Sequence, residues 1–379
     1  MRILNVIAYF YPHEGGAETV CLNLSREMVA RGHQVTVMTS NISSSVIPNI
    51  AENTNTVDGI KVIRLNSIVL PGRLPYILGL GKKVVEYNDF DIVNVHTPYP
   101  SIAREIIKVS NTLKVPIVVT HHCDYVRSGL FSLYAHLLNV IYIRRLCEIS
   151  HRIYISTMQY ANTSKAVRGF EAKYSLLSGS PSADLLNGND GIKEEYILCV
   201  SRLYWYKGIN YLLYAYKKLL GVFPMPPLWI VGRGPDEKHI LRLINKENLS
   251  EHVKLLGYVS SNELTSLFNN SYFLVLPSFT RREAYGMVLV ESLACGRPVL
   301  ASHIPGVSEV VERTGGGITV KARNSDDLAS NMLLLLSDSI LRRELGRRGR
   351  EYVSKYLGVE YMADRFIADL EKVLVEARA

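Results

Sequence analysis

Two glutamates eight positions apart, Glu283 and Glu291, bracket a glycine in the run Glu283-Ala284-Tyr285-Gly286-Met287-Val288-Leu289-Val290-Glu291. The run follows a strand-like segment, Phe273–Leu276, and a loop over 277–282. Gly286 is expected to open a helix that runs toward Cys295. A helix start carries unpaired backbone N–H groups and the positive end of the dipole, which together make an anion site. The N–H groups around Tyr285, Gly286, Met287 and Val288 are therefore candidates to hold a diphosphate, with glycine admitting it close to the main chain. Glu291 lies about a turn and a half into this helix, where a carboxylate can accept hydrogen bonds from a ribose diol. Glu283, just before the helix, can reach a sugar hydroxyl. Two such acids mean little alone; the strand before and the proline-bounded strand after supply the context.

Charge to match comes from Val200-Ser201-Arg202-Leu203-Tyr204-Trp205-Tyr206-Lys207-Gly208, at the end of a strand-like run. In open α/β sheets ligands bind beyond the carboxyl ends of the strands. Arg202 as a planar fork and Lys207 as a point charge can both neutralise a diphosphate there. Gly15-Gly16-Ala17-Glu18 sits at the first strand–helix turn and lets backbone approach a ligand. It lacks the G-x-G-x-x-G spacing, and Met38-Thr39-Ser40 rather than an acid closes the second strand, so a dinucleotide cofactor is not expected. Thr120-His121-His122-Cys123-Asp124 suggests a metal at first sight. Neighbouring residues on extended backbone point to opposite faces, so one histidine facing a ligand and one facing the core is the better reading. His122 is assigned the ligand side, with Asp124 orienting it or a nearby loop. Gly232, in Gly232-Arg233-Gly234-Pro235, is expected to form another crevice turn. Tyr258 and Val259, after Gly257, are candidates to present backbone groups to a nucleobase. Asp89-Phe90-Asp91 looks like an acid pair for a metal but precedes its strand, which is the wrong end for a site.

The elements that must position these residues follow a βαβ rhythm. Strand candidates in the first half are Ile3–Ala8, Gln34–Thr39, Lys61–Leu65, Ile92–Val95, Ile117–Thr120 and Ile153–Ser156, with helix-like segments such as Ala17–Ala30 and Ile102–Asn111 between them. In the second half they are Tyr196–Val200, Leu228–Val231, Val253–Leu256, Phe273–Leu276, Pro298–Ala301 and Gly317–Val320. Continuous Val- and Ile-rich runs are the mark of buried parallel strands, and two doubly wound sheets are predicted. The stretch 177–192, rich in Ser, Gly, Asn and Asp, reads as the linker. Domains are therefore expected over 1–180 and 190–357. Ser325 to Ala379 reads as helical throughout; its arginines 342, 343, 347, 348 and 350 are either a solvated face or a contact for anionic lipid.

Composition narrows the class. A chain of 379 residues with 47% hydrophobic and 21% charged residues is globular and long enough for two cores. The net charge of +8 favours acidic partners without choosing among phosphates, anionic lipid and nucleic acid. Five scattered cysteines with no C-x-x-C pair argue against a disulfide framework or zinc site and for a reducing, cytoplasmic setting. No signal-peptide pattern opens the chain. The stretch Leu130 to Ile143 is apolar but too short to span a bilayer, and it ends at Arg144-Arg145. It is either a core helix or an interfacial one, which would make the protein peripheral at the inner face of the cell membrane.

These residues together resemble the retaining glycosyltransferase family 4, of the GT-B fold. The resemblance runs from Gly15-Gly16-x-Glu18 through His122-x-Asp124, Arg202-x4-Lys207-Gly208 and Gly232-x-Gly234-Pro235 to Glu283-x7-Glu291 and the last helices. It implies an α/β chain of two Rossmann-like domains facing across a cleft, with the helix 358–379 crossing back onto the first. It implies transfer of a hexose-type sugar from a UDP- or GDP-sugar to a glycan or lipid-linked acceptor, with retention and without a metal or other cofactor. No nucleic-acid partner is expected. Arg202 and Lys207 would neutralise the donor diphosphate, Glu291 would bind ribose, and Glu283 and His122 would serve the donor sugar. Gly16 would approach the phosphates. The linker Leu177-Ser178-Gly179-Ser180-Pro181-Ser182 departs from the family's proline–asparagine–glycine–valine–aspartate-like turn, which bears on hinge geometry and an acceptor contact. Ser201 stands where glycine is common, and Ile304-Pro305-Gly306-Val307-Ser308-Glu309 is a variant of a sugar-side loop. A nucleotide-sugar epimerase of the same fold would act without an acceptor, and a non-catalytic binder would hold donor without turnover. Loops 41–58 and 69–76 are expected to shape the acceptor site.

Overall fold

The apolar runs become the middle of two parallel sheets, where both faces are covered and alternation has no use. The computed structural model describes residues 1–13, 15–42, 53–70, 74–126, 131–186 and 194–378. The chain divides into two units, Met1–Ser178 with Val359–Ala379, and Gly179–Gly358.

The first unit contains β1 (Arg2–Val6), β2 (Gln34–Ser40), β3 (Asn53–Val57), β4 (Ile60–Leu65), β5 (Ser67–Leu70), β6 (Leu74–Ile77), β7 (Ile92–Thr97), β8 (Ile117–His121), β9 (Arg152–Ile155) and β10 (Tyr174–Leu176). Its main sheet has the order β10-β9-β8-β7-β1-β2-β4-β3, parallel except where β3 pairs antiparallel with β4. β5 and β6 form a separate antiparallel pair. The strand order reverses between β1 and β7, which makes the carboxyl ends of those strands the switch point of the sheet. Four strands lie outside the sequence expectation: β3, β5, β6 and β10. β3 has the sequence NTNTV and is largely exposed, so neither hydrophobicity nor burial marked it. β5 and β6 fall in segments expected as acceptor-site loops; residues 43–52 and 71–73 of those loops lie outside the described residues.

The second unit contains β11 (Tyr196–Val200), β12 (Leu228–Val231), β13 (Val253–Gly257), β14 (Ser271–Leu276), β15 (Val299–Ser302) and β16 (Gly317–Val320). They form one parallel sheet in the order β13-β12-β11-β14-β15-β16, reversing between β11 and β14. Its core runs from Ile197 and Cys199 through Leu212, Phe273 and Leu300 to Met332 and Leu335.

Chain termini are assigned by packing. The helix Val359–Glu376 lies against the helix Gly16–Ala30 of the first unit. Phe366 meets Tyr154 edge-on at 4.7 Å, and Arg31 pairs with Asp364 at 2.8 Å. Residues 179–186, expected as linker, are instead packed on the second unit. Tyr285 donates to the Gly179 carbonyl at 3.2 Å, and Arg350 donates to that of Leu186. Residues 187–193 of that linker lie outside the described residues. The arginine-bearing helix Ser339–Tyr356 is largely satisfied within the protein. Arg342 is buried on Glu194 at 2.5 Å, Arg347 is paired to Glu344 and Glu351, and Arg348 to Glu344. The solvated-face reading fits Arg347 and Arg348; for Arg342 both readings fail, because its guanidinium is core structure. Among the described residues no helix is long and apolar enough to cross a membrane.

Candidate active site

Glycine geometry draws the second unit's loops together. Gly208, at φ +70, follows the short turn Trp205–Lys207, and a Cβ there would stand 2.1 Å from the Pro277 carbonyl oxygen. The loop after β11 therefore lies directly against the loop after β14. Phe279 donates its N–H to the Tyr206 carbonyl at 3.0 Å and fixes the same contact. Gly232, at φ +129, abuts Ser201 so closely that a Cβ would fall 1.9 Å from its carbonyl oxygen. Ser201 is buried, and its hydroxyl finds no hydrogen-bond partner among the described residues. Gly232 thus does serve a turn at the carboxyl end of β12, as expected.

This packing delivers Lys207 to Glu283. Their ammonium and carboxylate form an ion pair, with each side chain only about one-seventh exposed: 14% and 13%. Ser278 donates a second hydrogen bond to the same Glu283 oxygen at 3.1 Å. Burial by itself pushes the Lys207 ammonium down, but Glu283, with the Tyr206 phenol beside it, more than reverses this and holds the ammonium above its ordinary value. The cation is thus kept charged in a place with little water. Arg202 is exposed, lies close enough for its charge to act on Lys207, and makes no hydrogen bond or salt bridge to a described side chain.

Gly286 takes φ +81 and starts the helix Met287–Ala294, as the sequence predicted. The left-handed turn at Gly286 redirects the chain after the loop, and Leu276 and Leu289 leave room for no more than a Cβ contact of 3.0 Å. Met287 packs its sulfur on Gly179. Tyr285 is buried, and its hydroxyl donates to the Gly179 carbonyl. Val288 is half-buried in the first helical turn. Glu291 is half-buried and accepts no hydrogen bond from a described residue; burial pushes its carboxyl up to about 7. Tyr258 is exposed and Val259 half-exposed in the loop after β13. That places them at the sheet's edge strand, two strands from the switch point.

In the first unit, Gly15 is extended and Gly16 begins the helix Gly16–Ala30 just past β1, at the switch point. Gly16 is exposed, while Glu18 in the first turn is buried. His121 ends β8 inside the core, its Nδ1 2.8 Å from the Thr97 hydroxyl. His122 turns the other way and is half-buried, as the alternation of extended backbone requires. Asp124 does not touch His122. It lies 3.5 Å from His121, accepts from Ser164 at 2.5 Å, and accepts the Lys165 N–H at 3.0 Å. Of its two expected roles it fills the second, holding the nearby 164–167 loop. Burial alone would raise its carboxyl; these three partners pull it far below the carboxylate range. His122 instead meets His96, Nε2 to Nδ1 at 2.9 Å, with the rings stacked at 5.2 Å. Burial, then the charge of His121, holds His122 down to about 3, so the ring is neutral at physiological pH. Asp89 and Asp91, at the amino end of β7, pair with Arg2.

His96, Asn94 and Ser278 were not singled out from sequence. The first two did leave a signal: Asn94-Val95-His96 places two polar groups on one face of a strand that opens Ile92-Val93.

Known families fit this geometry. A family described as glycosyl transferases group 1 matches residues 188–352, and one described as glycosyltransferase family 4 matches residues 14–173.

The chain belongs to glycosyltransferase family 4.

The group 1 match spans β11 to β16, and the family 4 match spans β2 to β9. Among curated relatives, an uncharacterized glycosyltransferase of Methanocaldococcus jannaschii is 28% identical, over 73% of this chain and 74% of that one. The O-antigen chain mannosyltransferase C of Escherichia coli is 25% identical over the full length of both. Anabaena HepE, solved in complex with UDP-glucose, superposes with a TM-score of 0.77 at 17% identity, covering 98% of this chain and 100% of the other. That likeness establishes the fold, GT-B, for a family 4 chain. The family assignment makes the protein a glycosyltransferase.

Proposed function

We propose that this glycosyltransferase moves a hexose-type sugar from a UDP- or GDP-sugar to a glycan or lipid-linked acceptor, with retention of configuration. The observation that carries the reading is the buried Lys207–Glu283 pair beside the Gly286-led helix start, at the carboxyl ends of adjacent strands β11 and β14. A fixed cation in a poorly hydrated place stabilises charge that develops on a departing nucleoside diphosphate more than water would. Arg202 and the N–H groups near Met287 and Val288 would share that charge, so the reaction needs no metal or other cofactor. Glu291, which accepts no hydrogen bond from a described residue, is assigned the ribose diol. Glu283, oriented by Lys207 and Ser278, is assigned a sugar hydroxyl. Gly15 and Gly16 are assigned close approach to phosphate, Gly232, Tyr258 and Val259 the nucleotide, and His122 the donor sugar. The bond from the anomeric carbon to the phosphate oxygen breaks as one to the acceptor oxygen forms on the same face. The acceptor's proton passes to the departing phosphate, and no protein base is required. UDP-glucose bound to HepE, together with the E. coli mannosyltransferase of O-antigen chains, supports the donor and acceptor classes.

The test is donor turnover by the Lys207→Ala variant with folding checked by circular dichroism. Loss of most transfer supports the assignment; unchanged turnover defeats it. Products distinguish the other readings: free epimer without acceptor would mean an epimerase, and donor binding without any turnover a non-catalytic binder.

One surface favours a peripheral membrane location at the cytoplasmic face. The helical run 131–149 is apolar on both sides. Ala135, Leu138, Ile143 and Leu146 are buried, whereas Phe131, Leu133, Tyr134, Leu137, Val140 and Ile141 are exposed at helical spacing. An exposed apolar stripe of this kind suits the interface of a bilayer. The arginines at its end contribute less than the sequence suggested: Arg144 lies over Phe170 and bonds the Arg168 carbonyl, and Arg145 pairs with Glu148.

A further inference from the structure

A line of polar side chains crosses the first unit's sheet where apolar ones would be expected. Asn5 on β1, Asn94 and His96 on β7, and Thr120 on β8 are each 2–3% exposed. Asn5 is the register partner of Asn94, and His96 of Thr120, so these side chains share one face at the switch point. Buried polar groups are costly unless each finds a partner, and here they find one another. Thr120 Oγ1 lies 2.8 Å from Asn94 Oδ1 and donates to it. Asn94 Nδ2 lies 2.9 Å from Asn5 Oδ1 and 3.1 Å from His96 Nε2. Asn5 Nδ2 bonds Ser25 Oγ at 3.3 Å, and His96 Nε2 lies 3.4 Å from Asn5 Oδ1. His96 Nδ1 then meets His122 Nε2 at 2.9 Å.

The proton positions follow from this order. The Thr120 hydroxyl occupies the Asn94 oxygen, so the Asn94 amide nitrogen faces its other two neighbours with one hydrogen for each. The shorter contact decides the direction: His96 Nε2 accepts from Asn94 at 3.1 Å, and the 3.4 Å approach to Asn5 Oδ1, which only a protonated Nε2 could bridge, is left unmade because Asn94 already donates to that oxygen. A neutral imidazole that accepts at one nitrogen carries its proton on the other, so His96 donates from Nδ1. Its acceptor, His122 Nε2, is bare in turn, and the His122 proton sits on Nδ1. Burial keeps both rings neutral. No described residue hydrogen-bonds His122 Nδ1.

We infer that Asn94 and His96 are positioning residues that lock His122 as the neutral tautomer protonated on Nδ1, ready to donate a hydrogen bond to an oxygen of the sugar. The inference rests on the assignment of His122 to the donor sugar. A donor at that nitrogen discriminates a hydroxyl-bearing ligand from one that presents only C–H. It also needs no protonation change during turnover.

Nitrogen-15 NMR of imidazole-labelled protein at pH 7.5 tests the lock directly. The expected spectrum shows pyrrole-type Nδ1 and pyridine-type Nε2 for both His96 and His122. Protonated Nε2 on His122 would overturn the relay whatever the activity. Asn94→Asp replaces a donor by an acceptor of the same shape. It should reverse the line, so that His96 donates from Nε2 and His122 carries its proton on Nε2. His96→Phe keeps the ring and removes both nitrogens, and it serves if Asn94→Asp fails to fold. It should leave His122 as a mixture of tautomers. An unchanged His122 tautomer in a folded variant would refute the positioning role. For function, each variant is assayed for release of UDP or GDP from UDP-glucose and GDP-mannose. Loss of one oriented hydrogen bond should lower kcat about tenfold. Calorimetric binding of UDP or GDP alone should not change. Should His122→Phe turn over normally while the wild-type spectrum shows Nδ1–H, the relay stands and the sugar assignment of His122 falls.

Discussion

The two switch points solve the same topological problem with opposite chemistry. In the first unit the groups at the strand ends are neutral and paired in series: Asn5, Asn94, Thr120, His96 and His122 bond one another, with only His122 Nδ1 left without a partner among the described residues. In the second unit they are charged and incompletely used: Lys207 is neutralised by Glu283, whereas Arg202 and Glu291 have no hydrogen-bonding partner among the described side chains. A neutral network paired all but at its end fixes orientation and costs little when no ligand is present. Unpaired charge near a helix start is unfavourable in the empty protein and is relieved by a ligand of opposite sign or by sugar hydroxyls. On the proposed function, this contrast gives orientation to one unit and binding energy to the other.

The largest effect should come from breaking the charged side. Removing one preorganised stabiliser of developing charge lowers turnover by roughly a hundred- to a thousandfold. Lys207→Ala is expected in that range, measured as steady-state release of nucleoside diphosphate. Glu283→Gln should lose less diphosphate affinity than Lys207→Ala, because the cation remains; equal losses would mean that the pair acts only as a structural tie.

Next in size is the packing that brings the two loops together. Gly208→Ala would drive a Cβ into the Pro277 carbonyl from a left-handed backbone. Overpacking of this kind costs about 1–3 kcal/mol. The midpoint of chemical denaturation should fall accordingly, and donor binding should weaken with it. A midpoint identical to wild type would show that the loops do not depend on this approach.

Glu291 offers a pH test of smaller amplitude. Its carboxyl titrates near 7 in the folded chain against an ordinary value of 4.5, because burial disfavours the charge. The folded state therefore binds the proton more tightly. Its stabilising contribution is complete below pH 4.5 and is lost as pH rises toward 7. Glu291→Gln should flatten the decline in Tm across that window. In wild type, affinity for UDP or GDP should rise over the same interval as the carboxylate ionises to accept ribose hydroxyls; a flat profile would remove Glu291 from the ribose site.

The smallest expected change concerns the outer surface of the first unit. Leu133→Asp with Leu137→Asp should abolish flotation with anionic liposomes and leave turnover of soluble substrates intact. Equal flotation of variant and wild type would place the contact elsewhere.

Much of the fold was legible because buried parallel strands are written as contiguous apolar runs. All twelve segments read as strands overlap strands of the structure, with ends that differ by up to two residues, as Ile3–Ala8 does from β1. β3 escaped because an exposed edge strand of Asn and Thr looks like a loop, and β10 because three half-buried residues carry no period. The site was legible where chemistry and chain order coincide, as from Glu283 to Glu291 around Gly286. It was illegible where partners are remote: nothing local links Asn5 to Asn94, 89 positions on, or Asn94 to Thr120.

By itself the sequence determined which residues carry charge, where helices must start, and the βαβ order that sends loops to the strand ends; these depend on residue type and short spacing. Only the tertiary structure decided which cation meets which acid, that Asp124 serves a loop and not His122, and that Tyr285 spends its hydroxyl on Gly179. Those outcomes depend on parallel register and on how closely glycine lets one loop approach another, and neither quantity is encoded in any short stretch of chain.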